Sequence, residues 1–340
     1  EPAAGLRLPP HGPVALALRI PVALVRDRVR GAAWIVTEPG FDACRGDVER
    51  DLARLPGTAR GGPTGPLAAS LTEPPPAEFT AGVAAVRKLI ASGDLYQANL
   101  ARRWRGRLRD GVGPADVYAR LRHTNPAPFA GLVDWPGLAL ASSSPERLAR
   151  ISGGQVETRP IAGTRPVAGG GADSRREELL ASSKERAEHV MLIDLERNDL
   201  GRVCVPGSVV VRDYMAVESY AHVHHIVSGI TGTLRPETTP GAVLRAVFPG
   251  GTITGCPKVR CMTVIDRLEG VGRGAYTGSM GYLNRDGSAD LNILIRSIEI
   301  DGSGFSFAAG SGIVADSEPA HELEETRAKA RGLVLAVTAP

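Results

Sequence analysis

Two groups of charged residues, each with two glutamates, have the spacing that places their side chains on one face of a helix. The first is Glu322, Glu325 and Lys329 in GSGIVADSEPAHELEETRAK, just after a glycine-rich strand end. The second is Glu185 and Glu188 in SSKERAEHVMLIDLERND, with the same spacing of three. Residues three and four apart on a helix are neighbours, so two such helices facing one cleft would make an all-oxygen site suited to Mg²⁺. The alternative is that both groups are solvated helix faces carrying ordinary ion pairs.

A glycine-rich turn, FPGGTITGCPKVR, leads into a predicted helix. It places backbone N–H groups and the hydroxyls of Thr252 and Thr254 beside a helix N-terminus, which suits an anion. The P-loop pattern G-x-x-x-x-G-K-[ST] is not met. The turn is therefore an anion-site candidate of another kind, or a plain turn.

Two isolated charged residues are further candidates. In SSSPERL, we expect Ser144 to be an N-cap and Pro145 the first helical residue, with Glu146 in the first turn. Glu146 then either complements the helix dipole or is a general acid whose pKa burial raises. Arg296 lies inside an apolar predicted strand, LNILIRSIEI. If it faces inward it needs an anionic partner such as a substrate carboxylate; at a sheet edge its head would reach water.

Three histidines in YAHVHHIVS raise the possibility of zinc. In a strand, His222 and His224 share one face and His225 takes the other, so the three do not converge. This alternation disfavours zinc. One of them is instead a candidate proton carrier near neutral pH.

Composition excludes several classes of function. The 340 residues are 43% hydrophobic and 23% charged, which is typical of a globular protein with a sizeable core. Forty basic against 37 acidic residues leave +3, without basic runs interleaved with aromatics, so we expect no nucleic-acid partner. Four cysteines without C-x-x-C spacing predict a reducing, cytoplasmic compartment. No apolar run approaches the ~20 residues that span a bilayer, and EPAAGLRLPPHGP is not a signal peptide, so we expect no membrane association.

The predicted elements indicate an α+β fold. Residues 1–76, rich in Pro, Gly and Ala, are expected to form a short N-terminal segment that packs on one large domain, 77–340. Asp286-Gly287 and Asp301-Gly302 each separate two strand-like runs, so 275–309 is predicted to be an antiparallel meander. Hairpins with intervening helices favour α+β over a doubly wound parallel sheet. Strands are predicted at 15–20, 32–36, 95–104, 130–133, 138–141, 155–158, 209–212, 275–283, 291–300 and 305–309, and helices at 81–92, 114–122, 174–195, 241–247, 257–268 and 319–335.

Nine ordered segments between residues 79 and 336 resemble the chorismate-utilising enzymes. This family includes component I of anthranilate synthase and of aminodeoxychorismate (para-aminobenzoate) synthase, with isochorismate and salicylate synthases as relatives. The segments are GDLYQANLARRW, SSSPERL, ETRPIAGTRP, KERAEHVMLIDLERNDLGRV, HVHHIVS, FPGGTITGCPKVR, YTGSMGYL, LNILIRS and GSGIVADSEPAHELEET. The resemblance implies two stacked antiparallel β-sheets with surrounding helices, a single large chorismate-binding domain, and a Mg²⁺ that holds the ring carboxylate of chorismate.

The resemblance also implies residue roles. Glu188 and Glu325 would be the metal ligands, with Glu185 and Glu322 beside them in a second shell. Glu146 would protonate the departing C4 hydroxyl. The remaining implied site residues are Tyr276, Arg296 and Gly312 for the enolpyruvyl carboxylate, Thr252, His225 and Lys329 around the ring and metal, and Ala162 beside the substrate.

Gln97 bears on the choice of nucleophile. Alternation in LYQANLARRW turns it away from the apolar face. Relatives that add water resemble this chain except for a Lys at this position, which can deprotonate water, whereas an amide can only position a nucleophile. The resemblance therefore favours ammonia. Cys256 in TITGCPK is not in a nucleophile elbow, so a separate glutamine amidotransferase, component II, is the expected source.

Ala162 in PIAGT bears on the product. Many aminodeoxychorismate synthases have a Lys there that can attack the ring covalently, so Ala162 is similar to anthranilate synthase. GDLYQANL, HVHHIVS, GGTITGCPK, YTGSMGYL, DLNILIR and NPAPFAGL are more similar to the aminodeoxychorismate branch. The expected function is amination of chorismate to 4-amino-4-deoxychorismate for para-aminobenzoate and folate synthesis, by direct use of ammonia. The alternatives are anthranilate formation with loss of pyruvate, and a non-catalytic binding protein that kept the fold.

Overall fold

In a computed structural model, the structure describes residues 5–7, 13–55, 64–166, 177–178, 181–219 and 223–339. For 164–166, 183–184, 219 and 223–225 it describes the backbone alone. The chain divides into two compact units, one of residues 13–64 and one of residues 1–12 with 65–340.

The smaller unit is a hairpin and a helix. Strands β1 (Val22–Asp27) and β2 (Ala32–Thr37) pair antiparallel, and helix α1 (Asp42–Arg54) follows. The strand predicted at 32–36 is confirmed as β2, whereas the one predicted at 15–20 is wrong. Pairing begins only after Pro21, which has no N–H to donate to a ladder.

The larger unit contains two seven-stranded sheets, and every pairing within them is antiparallel. The strands of sheet I are β3 (Ala68–Thr72), β4 (Gln97–Leu108), β5 (Phe129–Trp135), β6 (Leu138–Ser144), β12 (Gly255–Cys256), β15 (Ser297–Asp301) and β16 (Gly304–Ile313). Those of sheet II are β7 (Arg147–Ser152), β8 (Gln155–Thr158), β9 (Ile161–Pro166), β10 (Val210–Ser219), β11 (Val223–Thr233), β13 (Gly281–Leu283) and β14 (Ala289–Asn292). The order of strands in sheet I is β12-β4-β16-β15-β6-β5, with β3 beside β4. The order in sheet II is β10-β11-β8-β7-β14-β13, with β9 beside β11.

Helices cover both sheets, so the predicted α+β class is confirmed. They are α2 (Pro76–Ala91), α3 (Pro114–Thr124), α4 (Ser183–Gly201), α5 (Pro240–Val247), α6 (Lys258–Glu269) and α7 (Pro319–Thr338). Helices α2, α3, α6 and α7 pack on sheet I, and α4 packs on sheet II and on α5. Four of these helices carry proline in their first turn, where its missing N–H costs nothing. Three of the four begin within one residue of the predicted start, whereas α2 begins at Pro76, five residues before the predicted start at residue 81.

The predicted helix at 174–195 is confirmed in part. Within the described residues α4 begins at Ser183, where the Ser182 hydroxyl accepts a hydrogen bond from the Glu185 N–H at 3.3 Å. It continues to Gly201, beyond the predicted end. Residues 174–176 and 179–180 of the prediction lie outside the described residues.

The chain passes directly from one sheet to the other, with no helix in between, at two neighbouring places. One crossing joins β6 to β7 through Pro145 and Glu146, and the other joins β14 to β15 through residues 293–296. The Ile293 N–H donates to the Glu146 carbonyl at 3.0 Å, and the Ser144 hydroxyl donates to the Ile293 carbonyl at 2.6 Å. The Ser143 N–H donates to the Arg296 carbonyl at 3.0 Å. The two crossings are therefore bonded side by side.

These crossings correct three predictions. The SSSPERL segment does not begin a helix with Ser144 as its cap, because Arg147 begins strand β7. The apolar run 291–300 is not one strand, because its two ends belong to different sheets. For the same reason 275–309 is not one meander: its hairpins β13–β14 and β15–β16 lie in different sheets. Only Gly281–Leu283 of the strand predicted at 275–283 is a strand.

The sequence places the boundary between the N-terminal segment and the large domain at residue 76. The larger unit resumes at Gly65, and β3 pairs with β4 inside it. Residues 65–76 thus share the larger unit with the predicted domain. None of the described helices combines the length and apolarity needed to cross a membrane.

Phe307 is the clearest test of how much the sheet I core contributes. It is 1% exposed, and its ring stacks on Trp104 with 5.6 Å between centroids. We expect Phe307→Ala to lower the free energy of unfolding by about 3–5 kcal/mol, because it removes a buried ring and leaves a cavity. Urea denaturation monitored by circular dichroism measures this. Val271→Ala, at an exposed position, should change it by about 0.5 kcal/mol or less; equal effects of the two substitutions would contradict this account of the core.

Candidate active site

Glu146 is a buried carboxyl at the first sheet crossing. It is 4% exposed, and its Oε1 accepts a hydrogen bond from the Thr252 hydroxyl at 2.7 Å. Burial raises the pKa of Glu146 to about 7, against the opposing effects of the Thr252 hydroxyl, Lys329, the Ile161 N–H and Arg296. A carboxyl that keeps a proton near neutral pH can act as a general acid.

Arg296 lies at the second crossing, with a backbone φ of +52°. L-residues rarely adopt this conformation, and it persists where the surrounding structure enforces it. Within the described part of the chain its guanidinium makes no ion pair, although Tyr276, Glu146 and Glu325 are near enough to act on its charge. Tyr276 is 6% exposed, and burial raises its pKa to about 12, so it remains a neutral hydroxyl. The pair therefore suits an anionic group.

Glu188 faces Gln97 from helix α4. The Gln97 amide Nε2 donates to Glu188 Oε1 at 2.8 Å, and Gln97 is 2% exposed. Burial, then the negative charges of Glu185 and Glu325, raise the pKa of Glu188 to about 7, whereas Lys329 and Gln97 oppose the rise. The next residue, His189, is fully buried with its Nε2 2.7 Å from the Ser228 hydroxyl. This contact ties α4 to β11 behind Glu188.

The charged group of helix α7 consists of Glu322, Glu325 and Lys329, and Ser311 of β16 contacts it. Lys329 Nζ lies 2.6 Å from Glu325 Oε1 and donates to the Gly310 carbonyl at 3.1 Å. Burial alone would raise the pKa of Glu325, but Lys329, the Ser311 hydroxyl and His321 together bring it below its usual value. Glu322 is 2% exposed and bonded to Ser311. Only part of the group is therefore open to the cleft.

The end of strand β16 lies between the two carboxylate-bearing helices. A Cβ added at Gly312 would lie 2.3 Å from Gln97 Nε2 and 3.0 Å from Glu188 Oε1. At Gly310 it would lie 2.5 Å from Asn99 Oδ1 and 2.8 Å from the Tyr276 hydroxyl. A side chain at Gly312 would therefore displace Gln97 and Glu188, and one at Gly310 would also meet the Leu100 carbonyl at 2.9 Å.

The residues present fit a divalent cation. Ligand atoms of His321, Glu322 and Glu325 lie within 4.8 Å of one another. The charge of Glu325 also acts on Glu188. Carboxylate oxygens are the donors that Mg²⁺ prefers, and carboxylates that repel each other in partly buried surroundings are stabilised by a shared cation. The resemblance assigns the ion to Glu188 and Glu325, with Glu185 and Glu322 beside them; Glu188 is not one of the three residues whose ligand atoms meet within 4.8 Å.

Two predicted site residues remain to be located. Ala162, in β9, is 5% exposed and pairs in register with Ile226 of β11. Its neighbour Ile161 directs a backbone N–H to the Glu146 carboxyl, so Ala162 lies beside the acid. His225 belongs to β11, opposite Thr164 and Glu218. The side chain of His225 and all of His222 lie outside the described residues.

Three residues near the site were not predicted. Asn99 shares the inward face of β4 with Gln97, and Ser311 bonds the acidic side chains of α7. His321 lies next to Glu322. Alternation along β4 was a usable signal for Asn99. Ser311 and His321 left none, because their contacts depend on how β16 and α7 pack.

The raised pKa of Glu146 predicts a pH-dependent stability. The unfolded chain loses this proton near pH 4.5, whereas the folded protein keeps it to about pH 7. Between these values the native state binds more protons, so the wild type loses stability as pH rises. Relative to wild type, Glu146→Gln should gain about 3 kcal/mol between pH 4 and 8. Denaturant unfolding at each pH measures this.

The control for that experiment exchanges one exposed amide for another. Gln155→Asn changes no ionisable group, so its stability relative to wild type should not vary with pH. A Glu146→Gln difference that is equally flat would show that Glu146 ionises normally in the fold.

Comparisons with known proteins agree with this geometry. The family model for chorismate binding enzymes matches residues 47–334. An anthranilate synthase component I-like protein of Synechocystis is 46% identical over 74% of this chain and 52% of its own. Aminodeoxychorismate synthase component 1 of Bacillus subtilis is 41% identical over 90% of this chain and 67% of its own. The chain spans about half the length of the Synechocystis relative.

A solved structure shares the fold. The crystal structure of anthranilate synthase component I from Streptococcus pneumoniae superposes with a TM-score of 0.82 at 33% identity, over 91% of this chain and 71% of that one. The predicted resemblance is thus confirmed at the level of family and fold. The chain belongs to the family of chorismate binding enzymes.

Proposed function

We propose that this chain aminates chorismate to 4-amino-4-deoxychorismate, with Mg²⁺ and with ammonia from a glutamine amidotransferase component II. The observation that carries the proposal is Glu146, a buried carboxyl that holds its proton near pH 7 and lies near enough to Arg296 to act on its charge. Among the described residues, the Arg296 guanidinium makes no ion pair. The B. subtilis aminodeoxychorismate synthase component 1 matches 90% of the chain, whereas the Synechocystis anthranilate synthase-like protein matches 74%. This wider match supports the aminodeoxychorismate branch.

Glu146 would supply the proton for the leaving group. A hydroxyl leaves poorly as hydroxide, so the C4–O bond breaks more readily if the oxygen takes a proton and departs as water. The Thr252 hydroxyl holds Glu146 Oε1 at 2.7 Å and so orients the acid. The side chain is 4% exposed, which limits exchange of its proton with solvent.

Arg296 would bind a carboxylate of the substrate. Chorismate carries two carboxylates, and a planar guanidinium binds one of them through two parallel hydrogen bonds. Tyr276, whose hydroxyl approaches Gly310, would add a neutral donor. The glycines at 310 and 312 let the side chains of Tyr276, Gln97 and Glu188 pack closely against the backbone of β16.

Gln97 would position the nucleophile. Its amide nitrogen is engaged with Glu188 at 2.8 Å, whereas its Oε1 is buried and makes no hydrogen bond among the described residues. A buried acceptor of this kind suits a donor such as ammonia. An amide cannot remove a proton from water, which supports amination over hydration.

Bound Mg²⁺ would neutralise the ring carboxylate and act as a Lewis acid. Glu188 and Glu325 would be its ligands. Glu325 pairs with Lys329 at 2.6 Å, which keeps this ligand ionised. The pKa of the other ligand, Glu188, is raised to about 7. Relatives named component 1 support a second component, and the expected partner is the amidotransferase that releases ammonia.

Ala162 favours a second candidate, anthranilate synthase. It is buried beside Glu146 and carries no nucleophile, so attack on the ring would be by ammonia itself. Formation of anthranilate with loss of pyruvate would also use Glu146 as the acid. Several relatives, including one from Aquifex aeolicus that is 45% identical over 76% of this chain, bear that name.

Products distinguish the two candidates. We expect the purified chain, incubated with chorismate, Mg²⁺ and ammonium, to consume chorismate and release 4-amino-4-deoxychorismate, detected by liquid chromatography and by its conversion to para-aminobenzoate when a lyase is added. Glu146→Gln should lower turnover by about 100-fold or more, because it removes the acid. Anthranilate fluorescence without a lyase would replace the first candidate with the second. Unchanged chorismate would reject both.

Removal of a carboxylate ligand tests the metal assignment. We expect Glu188→Gln to raise the Mg²⁺ concentration that gives half-maximal turnover by about 100-fold or more, because it removes an anionic oxygen donor. The matched control is Glu324→Gln on α7, whose carboxylate is exposed and pairs with Arg327. Unchanged Mg²⁺ dependence in Glu188→Gln would contradict the assignment.

A further inference from the structure

A small cavity lies behind the turn that carries Thr252. Its volume is about 10 Å³, and it is lined in part by Glu196 and Asp199 of α4, by Thr158 of β8, and by Gly250 and Gly251 of the turn. A cavity holds a water molecule when it offers at least roughly 10–15 Å³ and two to four polar partners. Both conditions are met here.

Two atoms at this cavity have no hydrogen bond within the described residues. They are Glu196 Oε2 and Thr158 Oγ1, both on buried residues; Glu196 is 8% exposed and Thr158 2%. The Thr158 hydroxyl lies near enough to Glu196 to favour its charged form as a donor, but Thr158 Oγ1 and Glu196 Oε2 do not reach the distance and angles of a direct hydrogen bond. A buried polar atom left without a partner costs about 1–3 kcal/mol. A single water between the two would satisfy both.

The cavity is connected to the candidate acid through the turn. Gly251 precedes Thr252, whose hydroxyl donates to Glu146 Oε1 at 2.7 Å. A Cβ at Gly251 would lie 2.7 Å from Leu195 Cδ2, so α4 packs directly under the turn. Ile293, which also lines the cavity, donates its N–H to the Glu146 carbonyl. Contacts that hold the 250–252 turn in place therefore also hold the Thr252 hydroxyl against Glu146.

We propose that Glu196 and Thr158 bind one water molecule in this cavity, and that Glu196 is thereby a positioning residue for Glu146, because the hydrated pair supports the turn that presents Thr252. This proposal rests on the proposed function for its catalytic consequence. The water site itself rests on the cavity and its two buried polar atoms.

The charge of Glu196 is consistent with this role. Burial raises its pKa to about 8; Glu146 and Asp199 contribute to the rise, and Thr158 and Lys258 oppose it. Lys258 Nζ is engaged with Asp199 Oδ2 at 2.5 Å. At pH 7 Glu196 is therefore mainly an uncharged carboxyl, which can donate one hydrogen bond to water and accept another.

Loss of this support has a pH signature. The Thr252 hydroxyl lowers the pKa of Glu146, as do Lys329, the Ile161 N–H and Arg296. If the turn relaxes and Thr252 withdraws, the pKa of Glu146 rises, because its carboxylate loses a donor. The alkaline limb of the rate profile then moves to higher pH, since Glu146 acts in its protonated form. A merely structural loss of folded protein lowers the rate without moving this limb.

The kinetic experiment compares Glu196→Leu with Glu196→Gln. Leucine fills part of the space without a polar atom, whereas glutamine keeps a donor and an acceptor. We expect Glu196→Leu to lower kcat by about tenfold or more, since misplacement of an acid is costly, with KM for chorismate little changed and the alkaline limb moved up. Glu196→Gln should restore the turnover rate and the alkaline limb of wild type.

Gln155→Leu, on the strand of Thr158, is the control. Identical profiles for Glu196→Leu and wild type, or no rescue by glutamine, would overturn the positioning role.

A crystal structure of the protein without substrate tests the water site independently of activity. We expect a water within about 3 Å of both Glu196 Oε2 and Thr158 Oγ1, absent from Thr158→Val and retained in Thr158→Ser. A dry cavity in wild type, or a direct Glu196–Thr158 hydrogen bond, would overturn the proposal even if chorismate is consumed. If chorismate is not consumed by wild type, the proposed function fails while this structural readout still stands.

Discussion

The bonded pair of sheet crossings determines most of what this site can do. Residues 143–146 and 293–296 each leave one sheet for the other, and three hydrogen bonds hold the two segments together. A strand that changes sheets must turn its side chains away from the regular alternation of the pleat. Glu146 and Arg296 stand at these two places, so the same constraint brings a buried carboxyl and a guanidinium near enough for their charges to interact.

The site is electrostatically costly, and its cations do not cancel the cost. Burial raises the pKa of Glu146 to about 7, and burial together with like charges raises that of Glu188 to about 7 and that of Glu196 to about 8. A carboxyl in such surroundings lowers the stability of the fold at neutral pH relative to the unfolded chain, in which it ionises freely. Lys329 is committed to Glu325 and Gly310, and Arg296 has no ion pair in the described part of the chain. This combination is expected where ligands, and not the protein, complete the charge balance.

Much of this arrangement was predictable from the residues, for physical reasons that differ between elements. Three of the four helices with proline in the first turn began within one residue of the prediction, and α2 began five residues earlier than predicted. The spacing of Glu322, Glu325 and Lys329 on one helix predicted neighbours, and Lys329 pairs with Glu325. The crossings were not predictable from periodicity. LNILIRSIEI contains no proline or glycine to mark a break, and nothing local in it shows that the sheet changes at residues 293–296. Likewise Pro145 after a serine has the local signature of a helix start, and only pairing with β14 makes Arg147 the start of a strand.

Helix α4 illustrates why long-range packing and local sequence had to be combined. Glu188 accepts a hydrogen bond from Gln97, and the next residue, His189, contacts Ser228 of β11. Further along the helix, Leu195 lies under the 250–252 turn. Glu188 and Glu196 are eight residues apart, slightly more than two helical turns, so they point to broadly the same side of the helix. One helix therefore carries Glu188, the proposed metal ligand, and also packs under the turn that holds Thr252 against Glu146. A shift of α4 along its axis would displace the Glu188 carboxylate and the support of Thr252 together, and this makes the contact of His189 with Ser228 a determinant of both.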